Sequence, residues 1–471
     1  MALGSSLIGA TLLAVTITLV ILWPRRYRGQ APSVQVLVLG DVGHSPRMQY
    51  QALSIAQRTH VQLIGYYESD LIEELARHPR LTRVPLTPAP HVVRRLPFVV
   101  GGPLKVVWQV LNLLLVLTYG TRPARWLLVQ NPPSIPTLAV ASLVAAVRNT
   151  RLLIDWHNYG WSILAGTRGA AHPFVAVAKT YEAVFGRLGD ANLAVTAAMA
   201  AQLRRPPYSL PSSVPLAVLH DRPAALFQPA ETALRAVDRA QELARLLGEA
   251  NLATFLAQPG ARVLVSSTSW TPDEDFQLLL DALVQFCAHQ GNKHHSRQQT
   301  PSPILAVITG KGPQRTQYEA KIKQLAAEGR LPRDAVVVRT AFLPMRDYAR
   351  LLALADLGVC LHMSSSGVDL PMKVVDMFGA GLPVVAYSAY ESFGELVREG
   401  ENGRGFTTAA ELAALLLRLL DGHEANGGQA ELATLREGAR RESKLRWADE
   451  WDRVVAPILG LAEPSAQEND P

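Results

Sequence analysis

The residues best able to do chemistry in this chain sit where an apolar run breaks into a short polar turn. In VLVLGDVGHSPRMQYQAL, which begins at Val36, the strand-like run stops at Gly40. Asp41, Gly43, His44, Ser45, Pro46 and Arg47 follow before a helical pattern starts near Met48. Such a turn is a good place to bind something, because the helix N-terminus offers unpaired N–H groups. GDVGH is not GxGxxG, so three readings stand side by side: the turn holds a phosphate, it holds a proton acceptor, or it only reverses the chain. A neutral imidazole titrates near pH 6.5, which suits general-base work, and His44 with Asp41 is one candidate. DWHNYGW is the rival, since Asp155 and His157 also follow an apolar run. Gly43, Arg47, Asn131 and Asp155 are the residues placed to meet a second substrate, Arg47 reading either as counter-charge to a diphosphate or as a solvated side chain. The prolines of QNPPSIPTL shape the wall beside Asn131.

A second set lies in the other half of the chain. VLVSSTSWTPDEDF puts Ser266, Thr268 and their neighbours directly after a strand-like run, and ILAVITGKGP does the same with Gly310, Lys311 and Gly312. Small residues let a backbone approach a phosphate, and a lysine beside them supplies a point charge; a plain turn is the competing reading of GKG. In LGVCLHMSSSGVDLPMKVVDMFGAGLPVVAY a run leads into Ser364, Ser365, Ser366 and Gly367. Leu370-Pro371 then opens a helix carrying Lys373 and Asp376. The positive helix N-terminus suits a diphosphate, and residues three apart share a helical face, so of Lys373 and Asp376 one can face phosphate and the other ribose hydroxyls; a surface ion pair is the competing reading. Glu395 in SFGELV reads either as a ligand to donor hydroxyls or as a helix cap. DEDF reads as charge at a helix start rather than as a metal-binding DxD, so no bound metal is expected, and stimulation by Mg²⁺ stays open.

These residues need elements to hold them. Runs at Val34–Leu39, Val61–Ile64, Trp126–Val129, Leu152–Ile154, Asn192–Val195 and Leu216–Leu219 read as strands, separated by helical patterns such as VAVAKTYEAVFGRL. A second series follows at Arg262–Ser266, Ile304–Thr309, Val336–Thr340, Leu357–Leu361 and Val384–Ala386. Alternation of this kind implies an α/β chain with two doubly wound, Rossmann-like parallel sheets. The boundaries are residues 34–225 for the first domain, 226–260 for a linker and helix, and 261–440 for the second. Residues 441–471 read as a terminal helix and tail. The polar stretch His289–Pro303 reads as a loop with a solvated histidine pair.

Composition bounds the rest. With 471 residues, 48% hydrophobic, the chain can bury two cores. A net charge of +6 without basic runs interleaved with aromatics disfavours nucleic acid. Two cysteines without metal spacing fit a reducing compartment. Residues 1–24 carry no charge, Leu7–Trp23 is almost continuously apolar, and Arg25, Arg26 and Arg28 follow at once. Positive charge after the apolar run implies a signal-anchor with the remainder cytosolic. Arg94–Gly120 is apolar on nearly every face. A second span there would split the two domains across the membrane, so it reads either as a core helix or as one resting in the membrane interface.

Taken together, GDVGHSPRMQYQALSIA, QNPPSIPTL, DWHNYGWSIL, DRPAALF, VSSTSWTPDEDFQLLLDAL and SSSGVDLPMKVVDMFGAGLPVVA resemble the chitobiosyldiphosphodolichol β-mannosyltransferases of the endoplasmic reticulum. The resemblance runs from about Val36 to Phe406 and implies a GT-B fold, two Rossmann-like domains facing a cleft, behind a transmembrane anchor. It implies transfer of the first mannose, in β-1,4 linkage, from GDP-mannose to GlcNAc2-diphosphodolichol on the cytosolic face of the membrane. No tightly bound cofactor is implied, and other transferases of the same pathway are candidate partners. Retaining GT-B enzymes carry a glutamate eight residues before the helix acid. Here Val368 stands eight before Asp376, with Asp369 one position off. An α-linked donor and a β product require inversion, hence a base on the acceptor hydroxyl. His44 resembles the position proposed for that base in another inverting lipid-linked transferase. The alternatives are a lipid-linked transferase with a different donor, a non-catalytic GT-B scaffold and an epimerase of the same fold.

Overall fold

The computed structural model describes residues 24–29, 33–233, 238–271, 274–294, 302–420 and 427–462. The anchor expected at 1–24 lies outside them except for Pro24, as do residues 295–301 of the expected 289–303 loop and the final tail from 463. Within 289–303, the helix Phe276–His294 extends further than the polar sequence implied.

Two all-parallel sheets carry the fold. The first joins β1 (Ser33–Asp41), β2 (His60–Tyr66), β3 (Leu81–Pro85), β4 (Trp126–Asn131), β5 (Arg151–Trp156), β6 (Ala191–Ala194) and β7 (Leu216–Val218), in the order β3-β2-β1-β4-β5-β6-β7. The second joins β8 (Arg262–Ser267), β9 (Ile304–Thr309), β10 (Val336–Ala341), β11 (Leu357–Cys360), β12 (Val384–Tyr387) and β13 (Gly403–Phe406), in the order β10-β9-β8-β11-β12-β13. The central strands are aliphatic because helices cover both faces: Val36, fully buried, sits opposite Leu63 and Leu128. The sequence reading missed β3 and β13. Both are edge strands, LTRVP and GRGF, half exposed and without an apolar run.

In each sheet the strand order reverses once, between β1 and β4 and between β8 and β11. Chain segments leave such a switch point in opposite directions and open a crevice beyond the carboxyl ends. The turn after β1 and the Ser/Gly loop after β11 both stand there. The carboxyl ends of the two sheets meet, since the loop after β5 touches the loop after β11 through Asn158 and Ser365.

Six helices frame the cleft and the surfaces beside it: α1 (Pro46–Arg58), α2 (Phe98–Leu115), α3 (Thr137–Arg148), α4 (Ala197–Arg204), α5 (Met372–Gly379) and α6 (Trp447–Leu459). Segment 226–260 belongs to the second domain more than to a linker: Phe227, Leu243, Leu252 and Phe255 pack in one core with Val263 and Val307. Helix α6 returns to the first domain. Its Trp451 and Trp447 donate to Gln51 Oε1 (2.7 Å) and Ser54 Oγ (3.0 Å) on α1.

Exposure overturns the core reading of Arg94–Gly120. Only 17% of the apolar window Val100–Gly120 is buried. Leu113 and Leu117 face the first core, while Val100, Leu104, Val107, Leu111, Leu115 and Tyr119 form an exposed stripe at helical spacing.

Candidate active site

Asp41 ends β1 and fixes the turn after it. Its Oδ1 accepts from the backbone of Gly43 (3.2 Å), Glu68 (3.1 Å) and Ser69 (3.2 Å), and its Oδ2 lies 2.6 Å from His44 Nδ1. Burial opposes ionisation of Asp41, but the bonds from Ser69, His44 and the backbone outweigh it and hold the carboxyl below its ordinary value. An ionised carboxylate only accepts, so the Nδ1 of a neutral His44 carries the proton and Nε2 is left as the basic nitrogen. The His44 side chain is 79% exposed, and Nε2 has no partner among the described residues. Gly43 is explained by packing: a Cβ there would stand 2.6 Å from Ser69 Cβ. Its smallness admits the neighbouring loop, not an acceptor.

The rival pair is built differently. Asp155 is wholly buried; Arg47 Nε donates to both its oxygens (3.2 and 3.0 Å), Arg47 Nη2 donates to Oδ1 (2.9 Å), and Gln51 Nε2 donates to Oδ2 at 3.0 Å. Arg47 also donates to Asp221 Oδ1 (2.7 Å) and Leu219 O (3.0 Å). Burial pushes both groups toward neutrality. The mutual attraction wins, driving Asp155 far below and Arg47 above the usual ranges. The guanidinium is spent inside the domain, so the expected contact from Arg47 to an acceptor diphosphate is not what the structure provides. His157 Nε2 lies 3.2 Å from Asp155 Oδ2 but is too poorly aligned to bond. Asn131 is fully buried, with an unpaired Oδ1 among the described residues. Close by, Glu182 accepts from Gly160 N (2.8 Å) and Tyr208 OH (2.9 Å), and burial pushes its carboxyl up to about 7.

On the second domain the Ser/Gly loop is organised by Asp369, which the sequence showed only as an acid one position off the retaining pattern. Asp369 accepts from Ser364, from Ser366 (3.3 Å), from His362 Nε2 (3.0 Å) and from Asn158 of the first domain (3.2 Å). Ser365 faces Asn158 and Ser162, each at 3.2 Å. The three hydroxyls are thus engaged within the protein, and Gly367 (φ +78°) turns the loop so that its carbonyl accepts from Glu391 N. What the loop leaves open to a ligand is the N-terminus of α5, which has no side-chain cap.

Lys373 pairs with Glu274 and reaches Ser269 Oγ (3.3 Å). Glu274 is buried and also accepts from Thr268 Oγ1 (2.7 Å) and Ser269 N (2.5 Å). The reading of DEDF as helix-start charge holds for Asp275, which accepts from Gln277 N; Glu274 is instead the lysine's counter-ion. Ser266 is fully buried with an unpaired hydroxyl among the described residues. Gly310 and Gly312 are small for the sake of a neighbouring loop: a Cβ on them would meet Thr268 O and Ser269 O, each at 1.7 Å. Lys311 Nζ sits 3.8 Å from the centroid of the exposed Phe342 ring.

Asp376 does not share the surroundings of Lys373. Burial and then the negative charge of Asp221 push its carboxyl up to about 8, so it is largely protonated at neutral pH. Glu395 does not point at a donor. Its carboxylate accepts from Ala197 N (2.6 Å) and Ala198 N (2.8 Å) at the N-terminus of α4 and pairs with His220 (3.0 Å). It is a cap, as one of its two readings had it, but on a helix of the other domain. Thr196 Oγ1 donates to Val368 O at 2.6 Å, and Val368 itself is buried in the first domain's core. Together these contacts latch the domains. No group of three or more His, Cys, Asp or Glu able to hold a metal comes together among the described residues.

Residues 261–422 match the family described as "Glycosyl transferases group 1". The chain is 46% identical over 396 residues to a chitobiosyldiphosphodolichol β-mannosyltransferase of Arthroderma benhamiae, covering 83% of this chain and 84% of the relative. It is 39% identical to the mouse protein of that name, covering 98% and 96%. It is 37% identical to a protein of Arabidopsis thaliana named UDP-glycosyltransferase TURAN, covering 90% and 96%. Anabaena HepE in complex with UDP superposes with a TM-score of 0.61 at 16% identity, covering 91% of this chain and all of that one. Sucrose-phosphate synthase of Thermosynechococcus elongatus gives 0.59 at 17%, covering 92% and 98%. These distant structures share the GT-B architecture.

Proposed function

The chain belongs to the chitobiosyldiphosphodolichol β-mannosyltransferases, a family of glycosyltransferases, and from that membership we propose that it transfers mannose from GDP-mannose to GlcNAc2-diphosphodolichol, with inversion to a β-1,4 linkage. The observation that carries the chemistry is the Asp41–His44 pair, an exposed imidazole held through Nδ1 at the first switch point. His44 Nε2 takes the proton of the acceptor hydroxyl as its oxygen bonds to the mannose anomeric carbon. The bond from that carbon to the diphosphate breaks on the opposite face, and GDP leaves with the electron pair. Orientation of the ring by an ionised carboxylate stabilises the imidazolium that forms.

The leaving diphosphate is met by the uncapped N-terminus of α5 and by Lys373, which exchanges Glu274 for the more highly charged ligand. Asp376, with its proton retained near neutrality, is suited to donate as well as accept toward ribose hydroxyls. The exposed Phe342 ring beyond β10 offers a face for the base. The lipid acceptor places the reaction at the cytosolic face of the endoplasmic reticulum membrane, next to partner enzymes of the same pathway.

The name of the Arabidopsis relative favours a second reading, a uridine-nucleotide donor. Transfer to a GlcNAc2-diphosphate lipid in detergent, with competition by GDP and by UDP, separates them. Mannose transfer inhibited by GDP and not by UDP is expected. Inhibition by UDP alone would replace the donor, and GDP binding without transfer would sink the acceptor assignment.

A further inference from the structure

At the amino ends of the first sheet, opposite the catalytic cleft, the chain carries a groove in which half of the lining residues are arginine. Arg25, Arg26, Arg28, Arg58, Arg80 and Arg122 line one cavity of about 1050 Å³ together with Tyr27, His60 and uncharged residues; no aspartate or glutamate lines it. The segment that brings the first three is pinned in place: Tyr27 N donates to Arg148 O (2.8 Å), Arg26 Nε to Val147 O (2.8 Å), and Arg148 Nε to Arg25 O (3.1 Å) at the end of α3. Arg58 has Asp452 for a partner and Arg80 the carbonyl of Gln57. The guanidinium groups of Arg25, Arg28 and Arg122 have none among the described residues. Such a cluster repels itself unless an anion sits in it, and arginine's planar fork matches phosphate oxygens.

What surrounds the groove identifies the anion's carrier. An adjoining cavity of about 670 Å³ shares Arg25, His60, Gln62 and Arg122 and is lined on another side by residues 118–120. Tyr119 there ends the exposed apolar stripe that begins at Val100. An apolar face that a folded domain leaves uncovered for the length of α2, running into a phosphate-sized basic groove, has the two halves of a bilayer-interface contact. The sequence reaches Arg25 directly from the apolar run ending at Trp23. We propose that the arginine groove binds the phosphate of anionic phospholipid headgroups and holds the apolar stripe of α2 against the bilayer. The inference rests on the groove and the stripe and is independent of which sugar the enzyme transfers.

The test uses the full chain purified in neutral detergent, titrated with fluorescent phosphatidylserine and, separately, fluorescent phosphatidylcholine. Wild type should prefer phosphatidylserine at least tenfold. The triple variant Arg25→Ala/Arg28→Ala/Arg122→Ala should lose that preference, as expected from about a fivefold loss per basic residue at a lipid surface. Arg330→Ala, an exposed arginine elsewhere, should keep it. Arg28→Glu gives a milder second variant should the triple one fold poorly, and GDP binding by both reports an intact fold. Equal affinity for the two lipids, or preference unchanged in folded variants, overturns the proposal. So does displacement of phosphatidylserine by inorganic phosphate at equal concentration, which would make the groove a site for free anions.

Discussion

His44 and His157 stand at the carboxyl ends of strands in the same sheet, each beside an aspartate, and they are built for opposite purposes. The partner of His44 is held by three backbone amides, so the carboxylate has one oxygen free for the ring, and the ring is open to the cleft. The partner of His157 is wholly buried, paired with Arg47 and bound by Gln51, and its ring meets it out of line. An aspartate supported by amides can orient a base. One engaged by a buried guanidinium fixes the architecture of α1, β5 and the crossing at Asp221. The surroundings of the carboxylate, more than the presence of the pair, separate chemistry from structure.

The widest separation between the two histidines should appear in turnover. His44→Ala is expected to lower kcat about 10²–10⁴-fold with GDP affinity kept, as for loss of a general base. His157→Ala should lower it less than tenfold. Equal losses in a steady-state assay would erase the distinction. Next comes stability: Arg47→Met leaves Asp155 and Asp221 without their buried counter-charge and should cost about 3–5 kcal/mol. Arg47→Met/Asp155→Leu should recover much of it in thermal unfolding. If the single variant unfolds like wild type, the cluster is not the structural one of the two.

The latch should yield a smaller effect. Glu395→Gln keeps the shape and removes the charge that caps α4, with an expected loss of about 0.5–2 kcal/mol. Faster amide exchange at Ala197 and Ala198 should accompany it, and unchanged exchange would mean that the cross-domain cap is idle. The mildest expectation concerns pH. Asp376 has its folded pKa raised to about 8, so its contribution to stability is full below the unfolded value near 4 and is lost as pH rises through 8. Asp155, depressed, behaves in the opposite sense and contributes above the unfolded value. The melting temperature of wild type relative to Asp376→Asn should therefore fall between about pH 4 and pH 8; a flat difference would return Asp376 to an ordinary carboxylate.

Both sheets were legible because their central strands are aliphatic on both faces, and all the strands but two announced themselves in that way. GRGF and LTRVP did not, since an edge strand is buried on fewer sides. At the site, the pairing of Asp41 with His44 could be anticipated because they stand so close in the chain. The roles of Glu274, Asp369 and Asp221 escaped notice. Asp369 had a faint signal as the lone acid in a loop of small residues, and Glu274 as one acid more than the helix start at Phe276 required. The glycines of GKG invited a phosphate; in the fold they admit another loop of the same protein.

The sequence by itself determined where strands end, which turns are polar and where the long apolar faces fall, because periodicity and turn chemistry act over a few residues. The tertiary structure decided which charge each carboxylate meets. Arg47 finds Asp155 across 108 positions, Lys373 finds Glu274 across 99, and Glu395 caps an amide 198 positions away. A charged side chain takes its role from the partner that burial leaves within reach, and only the folded chain chooses that partner.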